Sequence, residues 1–257
     1  MKLRKALQGT VILSMIVGSG HWIAPSQAQA SFTDPERRAI ERMIRDYIMN
    51  NPEVILESVQ RKNAREQAAN REKQRQTLTD LRPSLERDPG SHVGGNPDGD
   101  VAVVEFFDYR CTYCKRFLPN LVELLRRDTN VRIVFKEYPI LGPDSVTASR
   151  AALAARMQNR DLYMPFHNAL MESRGTFSER RVLDIANDVG LDPDRLKRDM
   201  SSLEIEAIIS RNHEQAEALG IRGTPAFVIG DRVIPGFVNG EQLAALIEEA
   251  RESCLTC

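Results

Sequence analysis

Val101-Ala102-Val103-Val104-Glu105-Phe106-Phe107-Asp108-Tyr109-Arg110-Cys111-Thr112-Tyr113-Cys114 is the stretch on which the fold turns. Its first seven residues, apolar except for Glu105, read as a buried strand. The cysteines follow where that strand gives way to a helix over about 112–127. Next comes Val131-Arg132-Ile133-Val134-Phe135, a second apolar run. Strand, helix and strand at this spacing predict a βαβ unit with parallel strands, and hence an α/β fold class. A thiolate at the start of a helix faces unpaired backbone N–H groups and the positive end of the macrodipole, which lower its pKa. Cys111 is therefore expected to be an exposed nucleophile. Cys114, one turn inward, is expected to resolve it by closing an intramolecular Cys111–Cys114 disulfide.

Other uses of such a pair are weighed against this one. Haem attachment needs histidine after the second cysteine, where Lys115 stands. A zinc site would need Cys254-Leu255-Thr256-Cys257 as its second half, with 139 residues between Cys114 and Cys254. No metal site is predicted. A structural disulfide at the strand-to-helix junction stays open, but redox chemistry suits the placement better. In Cys254 and Cys257 the sequence leaves three options: a local disulfide or inert tail, a second redox relay, or metal capture.

Beyond the βαβ unit, residues 144–218 read as helical, with breaks near Gly175, Gly190-Leu191-Asp192-Pro193 and Ser201-Ser202. Ala226-Phe227-Val228-Ile229 and Arg232-Val233-Ile234, joined by Gly230-Asp231, predict a hairpin, and a last helix is expected over about 240–251. Gly223-Thr224-Pro225 stands just before the hairpin. Its Thr-Pro bond is a candidate cis peptide, against the ordinary alternative of a trans proline entering a strand. Beside Cys111, the backbone of Thr224 would pair with an extended substrate segment. His92, His167 and His213 share no motif with either cysteine pair and read as structural or exposed.

Upstream, Lys2, Arg4 and Lys5 precede an apolar run centred on residues 11–17, and Ala28-Gln29-Ala30 ends the segment. That pattern predicts a signal peptide over residues 1–30, cleaved after Ala30, and a protein working in the periplasm. The alternative, a membrane anchor, needs roughly 20 apolar residues, and Gly18-Ser19-Gly20-His21 interrupts the run too early. Residues 31–88 then read as a helical arm. Asp34-Pro35 is its expected cap, and Ile40, Met43, Ile44, Tyr47 and Ile48 fall on one face. Asn51 is the expected cap of a second helix. Between Gln60 and Thr77 only alanines are apolar, and Leu78, Leu81 and Leu85 resume a stripe before Pro83 and Pro89-Gly90 disrupt the helix. Such an arm either joins copies of the chain or folds back on its own body. With 35 basic against 36 acidic residues there is no footprint for nucleic acid. Four cysteines in 257 residues are too few for a disulfide-dense scaffold.

The cysteine motif and the threonine–proline pair, in this order, resemble the thioredoxin superfamily and more closely its DsbA-like disulfide oxidoreductases. The likeness rests on residues 96–100 (Asn96-Pro97 through Asp100), 104–109, 111–114, Phe135-Lys136-Glu137-Tyr138-Pro139 and Gly223-Thr224-Pro225-Ala226-Phe227. It covers about residues 90–251. It implies a thioredoxin fold in a domain over 89–257, with a helical insertion at about 144–218 and an N-terminal helical arm before it. The arm, in Ile44-Arg45-Asp46-Tyr47 and Asn50-Asn51-Pro52-Glu53-Val54-Ile55, looks like that of ScsC-type and Com1-type members. In that subgroup the segment drives oligomerisation, so a homo-oligomer, trimer or dimer, is implied through residues 31–88.

By the same resemblance Glu105 would exchange protons with Cys114, and Lys136 would be its charged partner. A strand residue pointing at solvent is the plainer alternative for Glu105. The sequence departs from DsbA in its intervening pair, Thr112-Tyr113, so that enzyme's oxidising strength does not carry over. Arg110 precedes the nucleophile, and Thr224 looks more like the isomerase and ScsC branches. The implied activity is a periplasmic thiol–disulfide oxidoreductase, oxidase or isomerase, acting on unfolded or misfolded exported proteins. It needs no dissociable cofactor, but it does need an upstream redox partner, a membrane oxidase or reductase, to reset the pair. The alternative is a thiolate-based copper-binding protein of the periplasm serving metal tolerance.

Overall fold

The computed structural model describes residues 32–253. The proposed signal segment and the Cys254/Cys257 pair lie outside the described residues. Two compact units divide the chain, one ending at Arg61 and the other beginning at Lys62.

The first unit holds α1 (Asp34–Asn50) and the opening of α2 (Glu53–Glu86). The cap of α1 is Thr33 rather than Asp34: the Glu36 carboxylate accepts from the Thr33 N–H at 2.8 Å and from its hydroxyl at 2.7 Å. Asn51 closes α1 instead of opening α2, its side-chain amide donating to the Tyr47 carbonyl at 2.8 Å. No residue of α1 is buried. Met43, Ile44, Tyr47, Met49, Val54, Ile55, Leu56 and Val59 all stand open to solvent.

In the second unit, five strands form one sheet in the order β1-β3-β2-β4-β5. These are β1 (His92–Gly95), β2 (Val101–Phe107), β3 (Val131–Glu137), β4 (Ala226–Ile229) and β5 (Arg232–Pro235). β2 and β3 are parallel, as the βαβ spacing predicts, with α3 (Thr112–Arg127) between them. β1 runs antiparallel to β3 and is not expected from the sequence; four residues with two glycines leave no alternating signature to read. Every residue of β2 and β3 is buried, because both faces of the sheet are covered. The helical insertion comprises α4 (Pro143–Gln158), a 3₁₀ turn (Arg160–Leu162), α5 (Tyr163–Glu172), α6 (Glu179–Asp188), α7 (Pro193–Asp199) and α8 (Leu203–Ala218). The hairpin of β4 and β5 turns at Gly230 with φ of 59°, and α9 (Gly240–Ser253) follows.

The alternation of β2 sorts the core. Val101, Val103 and Phe107 face a cluster built with α3, α4, α5 and α9. Val104 and Phe106 face a second cluster made by Leu78 and Leu85 of α2 with Ala216, Leu219 and Ile221. The end of α2 is thus a cover for the sheet, and α2 runs through Pro83 to Glu86 rather than breaking there. An interior proline costs a helix about 3 kcal/mol. Burying Leu78 and Leu85 on either side offsets that, at roughly 1.5–3 kcal/mol for each leucine.

Lys136 lies on this second face, opposite Phe106 in register, and not with Glu105, whose partner is Phe135. Its fully buried ammonium meets Asp88 at 2.9 Å and the Ser84 carbonyl at 3.2 Å. It is therefore not the charged partner of Glu105. Burial lowers its pKa, and the Asp88 contact opposes that fall. Removing one partner of a buried pair strands the other, which typically costs about 3–5 kcal/mol. Asp88→Ala is expected to lose stability of that order in chemical denaturation. A loss near zero would show that the pair does not fasten α2 to the sheet.

Candidate active site

Both cysteines sit where β2 hands the chain to α3. Asp108 makes the bend by accepting four hydrogen bonds, from the Arg110, Ile140 and Leu141 N–H groups at 2.7, 2.8 and 3.0 Å and from the Ser145 hydroxyl at 2.8 Å. The sequence reading missed this residue, although an aspartate two places before a backbone N–H it can bind is a familiar turn signal. Cys111 is then the N-cap of α3, with φ −71° and ψ 115°, and its sulfur accepts from the Cys114 N–H at 3.4 Å. Lys115 ties the helix start down by donating to the carbonyls of Leu170, Met171 and Ser173 at 3.2, 2.9 and 2.7 Å.

The Thr224–Pro225 peptide is cis. It brings the Thr224 carbonyl to 3.1 Å from the Cys111 sulfur, across 113 residues of chain. This segment lies over the sulfur, so Cys111 is only 6% exposed rather than the open nucleophile expected; Cys114 is 1% exposed. Both are free thiols. Beside them, Gly220, Gly223, Thr224, Pro225 and Gly236 line a cavity of about 310 Å³. On the other side Tyr113 is open to solvent, and the Arg116 guanidinium lies 5.6 Å from its ring and 5.3 Å from that of Phe237.

The two sulfurs differ sharply. Hydrogen bonds to the Cys111 sulfur, first from the Cys114 thiol and then from the Thr224 side chain and the Cys114 and Tyr113 N–H groups, outweigh burial and bring its pKa down to about 6. Burial pushes the Cys114 thiol far up, and the Cys111 and Glu105 charges add to it. Glu105 is 3% exposed, so it does not point at solvent. Burial carries its pKa to about 8, with the charges of Cys111 and Glu137 adding to the rise. The structure therefore brings Cys111, Cys114 and Thr224 into contact, with Pro225 next to Thr224 in the chain and Glu105 buried where its charge acts on the Cys114 thiol. Among the described residues no group of three or more His, Cys, Asp or Glu could hold a metal ion, and no helix is long and apolar enough to cross a membrane.

A parallel βαβ core, a helical insertion, a Cys-X-X-Cys helix start and a cis-proline facing it define a thioredoxin fold of the DsbA type. Residues 102–248, more than half of the chain, match the family described as the DSBA-like thioredoxin domain, and the chain belongs to that family. Residues 36–69 match the N-terminal domain of the copper resistance protein ScsC. Among solved structures, a thioredoxin-like oxidoreductase from Silicibacter pomeroyi is 49% identical, covering 66% of this chain and 98% of that one at a TM-score of 0.64. Proteus mirabilis ScsC in a transitional conformation is 27% identical over 86% of this chain and 100% of that one, at a TM-score of 0.65. A curated relative, the Na(+)/H(+) antiporter NhaA 1 of Salinispora arenicola, is 30% identical over 161 residues. That match covers 62% of this chain but only 24% of the antiporter, so the chain spans about a quarter of that relative's length.

Reduced protein should show a thiolate absorbance that rises with a midpoint near pH 6. Cys111→Ser should abolish that rise and Cys114→Ser should leave most of it. A first midpoint near the ordinary thiol value would contradict the geometry around Cys111.

Proposed function

We propose that this chain is a periplasmic thiol–disulfide oxidoreductase that exchanges disulfides with unfolded or misfolded exported proteins. The observation that carries this is the Cys111 sulfur held between the first turn of α3 and Thr224, with a thiol that ionises near pH 6. An extended client segment pairs with the Thr224 backbone beside Pro225, and its sulfur meets Cys111. In oxidation, a client thiolate attacks Cys111 of the disulfide and Cys114 leaves, taking a proton from Glu105. A second client thiol then displaces Cys111, and the client departs oxidised. In reduction and shuffling, the Cys111 thiolate attacks the client disulfide, a mixed disulfide forms, and Cys114 resolves it after giving its proton to Glu105. The pair is reset by a membrane oxidase or reductase.

The arm supports the isomerase direction. Its bare apolar stripe, which includes Met43, Ile44, Tyr47, Met49 and Leu56, has no cover in the chain's own first unit. It would join copies into a trimer or dimer and hold several active sites around one client, raising their effective concentration. A second reading draws on the copper resistance description matched by residues 36–69: the reduced Cys111 and Cys114 thiolates would take up copper(I). Thr224, Pro225 and Glu105 have no part in that role.

Refolding of a scrambled multi-disulfide protein tests the proposal. Cys111→Ser should abolish exchange, and Cys114→Ser should accumulate mixed disulfides on Cys111. Deleting residues 31–61, which spares the core leucines Leu78 and Leu85, should leave a monomer that still oxidises or reduces dithiols but loses most shuffling. Full activity in Cys111→Ser would sink the assigned chemistry. A monomeric full-length protein would sink the role of the arm.

A further inference from the structure

A second carboxyl is buried on the face of the sheet that carries Glu105. Glu137 ends β3, two residues beyond Phe135, the register partner of Glu105. It is 1% exposed. One of its oxygens, Oε1, accepts hydrogen bonds from the Tyr109 hydroxyl at 3.1 Å and the Tyr163 hydroxyl at 3.0 Å. Tyr109 Oη also lies 3.0 Å from His167 Nδ1. Since the Tyr109 proton points to Glu137, that nitrogen carries a proton and donates it. The other carboxyl oxygen, Oε2, and the Ser149 hydroxyl are both buried without a partner at full hydrogen-bond geometry, although Ser149 still acts to favour the charged carboxyl. The exchange between Cys111 and Cys114 uses none of these groups. A carboxyl buried this deeply is costly, and for packing alone an apolar side chain would serve better.

Two carboxyls on one dry face of adjacent strands have linked proton affinities, because a charge on either opposes a charge on the other. We propose, on the footing that Glu105 serves Cys114, that Glu137 is a positioning residue that sets the proton affinity of Glu105. As the pH rises through the range in which the two ionise, a charge on Glu137, held by the Tyr109 and Tyr163 hydroxyls, raises the affinity of Glu105 for the Cys114 proton.

The step balances within the chain. The Cys114 thiol gives its proton to the Glu105 carboxylate, and its sulfur electron pair forms the bond to the Cys111 sulfur. The bond between Cys111 and the client sulfur breaks, and its electron pair leaves with the client thiolate. Cys114 is oxidised and the client sulfur reduced, while Cys111 passes from one disulfide to the other at an unchanged oxidation level. Glu105 ends neutral and returns its proton when Cys114 is next released.

The surroundings fit this division. Burial raises both carboxyls to about 8, while Ser149, Tyr163 and Tyr109 act to lower Glu137 and Asp108 acts to raise it. From α3, Cys111 and Cys114 are the titrating groups facing Glu105, and Lys115 is spent on three carbonyls. From β1 and α5, His92 and His167 are neutral at working pH, burial lowering them to about 4 and about 3. Arg156 of α4 acts on Tyr163, lowering it. The remaining charges are those of Asp108, which acts on Glu137, and of the pair itself.

Glutathione held as a mixed disulfide on Cys111 of the full chain gives the test, its release followed from about pH 5 to 9. Glu137→Gln should move the acid limb of that profile down by about one pH unit. Tyr163→Phe, which removes one donor from Glu137, should move it the same way by less, and it carries the test if Glu137→Gln folds poorly. In a Glu105→Gln background, Glu137→Gln should move nothing further. The proposal is overturned if Glu105→Gln removes the limb while Glu137→Gln and Tyr163→Phe leave its midpoint in place; the role of Glu105 then stands alone. A limb that survives Glu105→Gln overturns both.

Discussion

A sulfur held at the mouth of a helix, above an interior that resists charge, is the constraint to which the rest of the structure answers. Cys111 caps α3 and is approached from the far end of the chain by Thr224. Hydrogen bonds there favour its thiolate. Three residues on, Cys114 has lost its water and holds its proton. One helical turn separates a thiol that ionises readily from one that holds its proton, so Cys111 is the more nucleophilic of the two. Asp108 and Lys115 fix the turn by occupying backbone groups from the loops and helices around it.

The sheet serves the site from below. β2 is buried on both faces, so Glu105 has no route to solvent, and its charge acts on the Cys114 thiol. On the opposite face the Lys136–Asp88 pair and the leucines of α2 close the second core. The chain segment leading out of the arm is therefore part of the body that holds the site. Truncations that run to residue 88 would remove core along with arm, whereas a cut at Arg61 respects the division between the two units.

Much of this could be read from residues alone. The run from Val101 to Phe107, the cysteines after it and the proline before the hairpin each carry a local signature: an apolar strand, a helix start and a turn. The breaks of the helical insertion at Gly175, Gly190 and Ser201 were legible for the same reason. What escaped depends on partners distant in sequence. Lys136 and Glu137 look like the polar end of a strand, and only the helices packed on each face bury them. The cap of α1 is Thr33 instead of Asp34, and Asn51 ends α1 instead of opening α2, because several small polar residues stand near each helix end. Pro83 looks like a stop until the sheet beneath Leu78 and Leu85 is seen to hold the helix on.

The stability of the oxidised and reduced proteins, compared by denaturant unfolding between pH 5 and 9, tests the central claim most directly. With Cys111 ionising at about 6 when folded and near 9 when unfolded, the reduced form binds fewer protons folded than unfolded across that window. Its stability must therefore rise relative to the oxidised form as pH increases above 6, and level off as the unfolded thiols ionise. Cys111→Ser, which forms no Cys111–Cys114 disulfide, must lack the rise that the reduced parent shows above pH 6. A gap between the two forms that stays constant with pH would contradict the account.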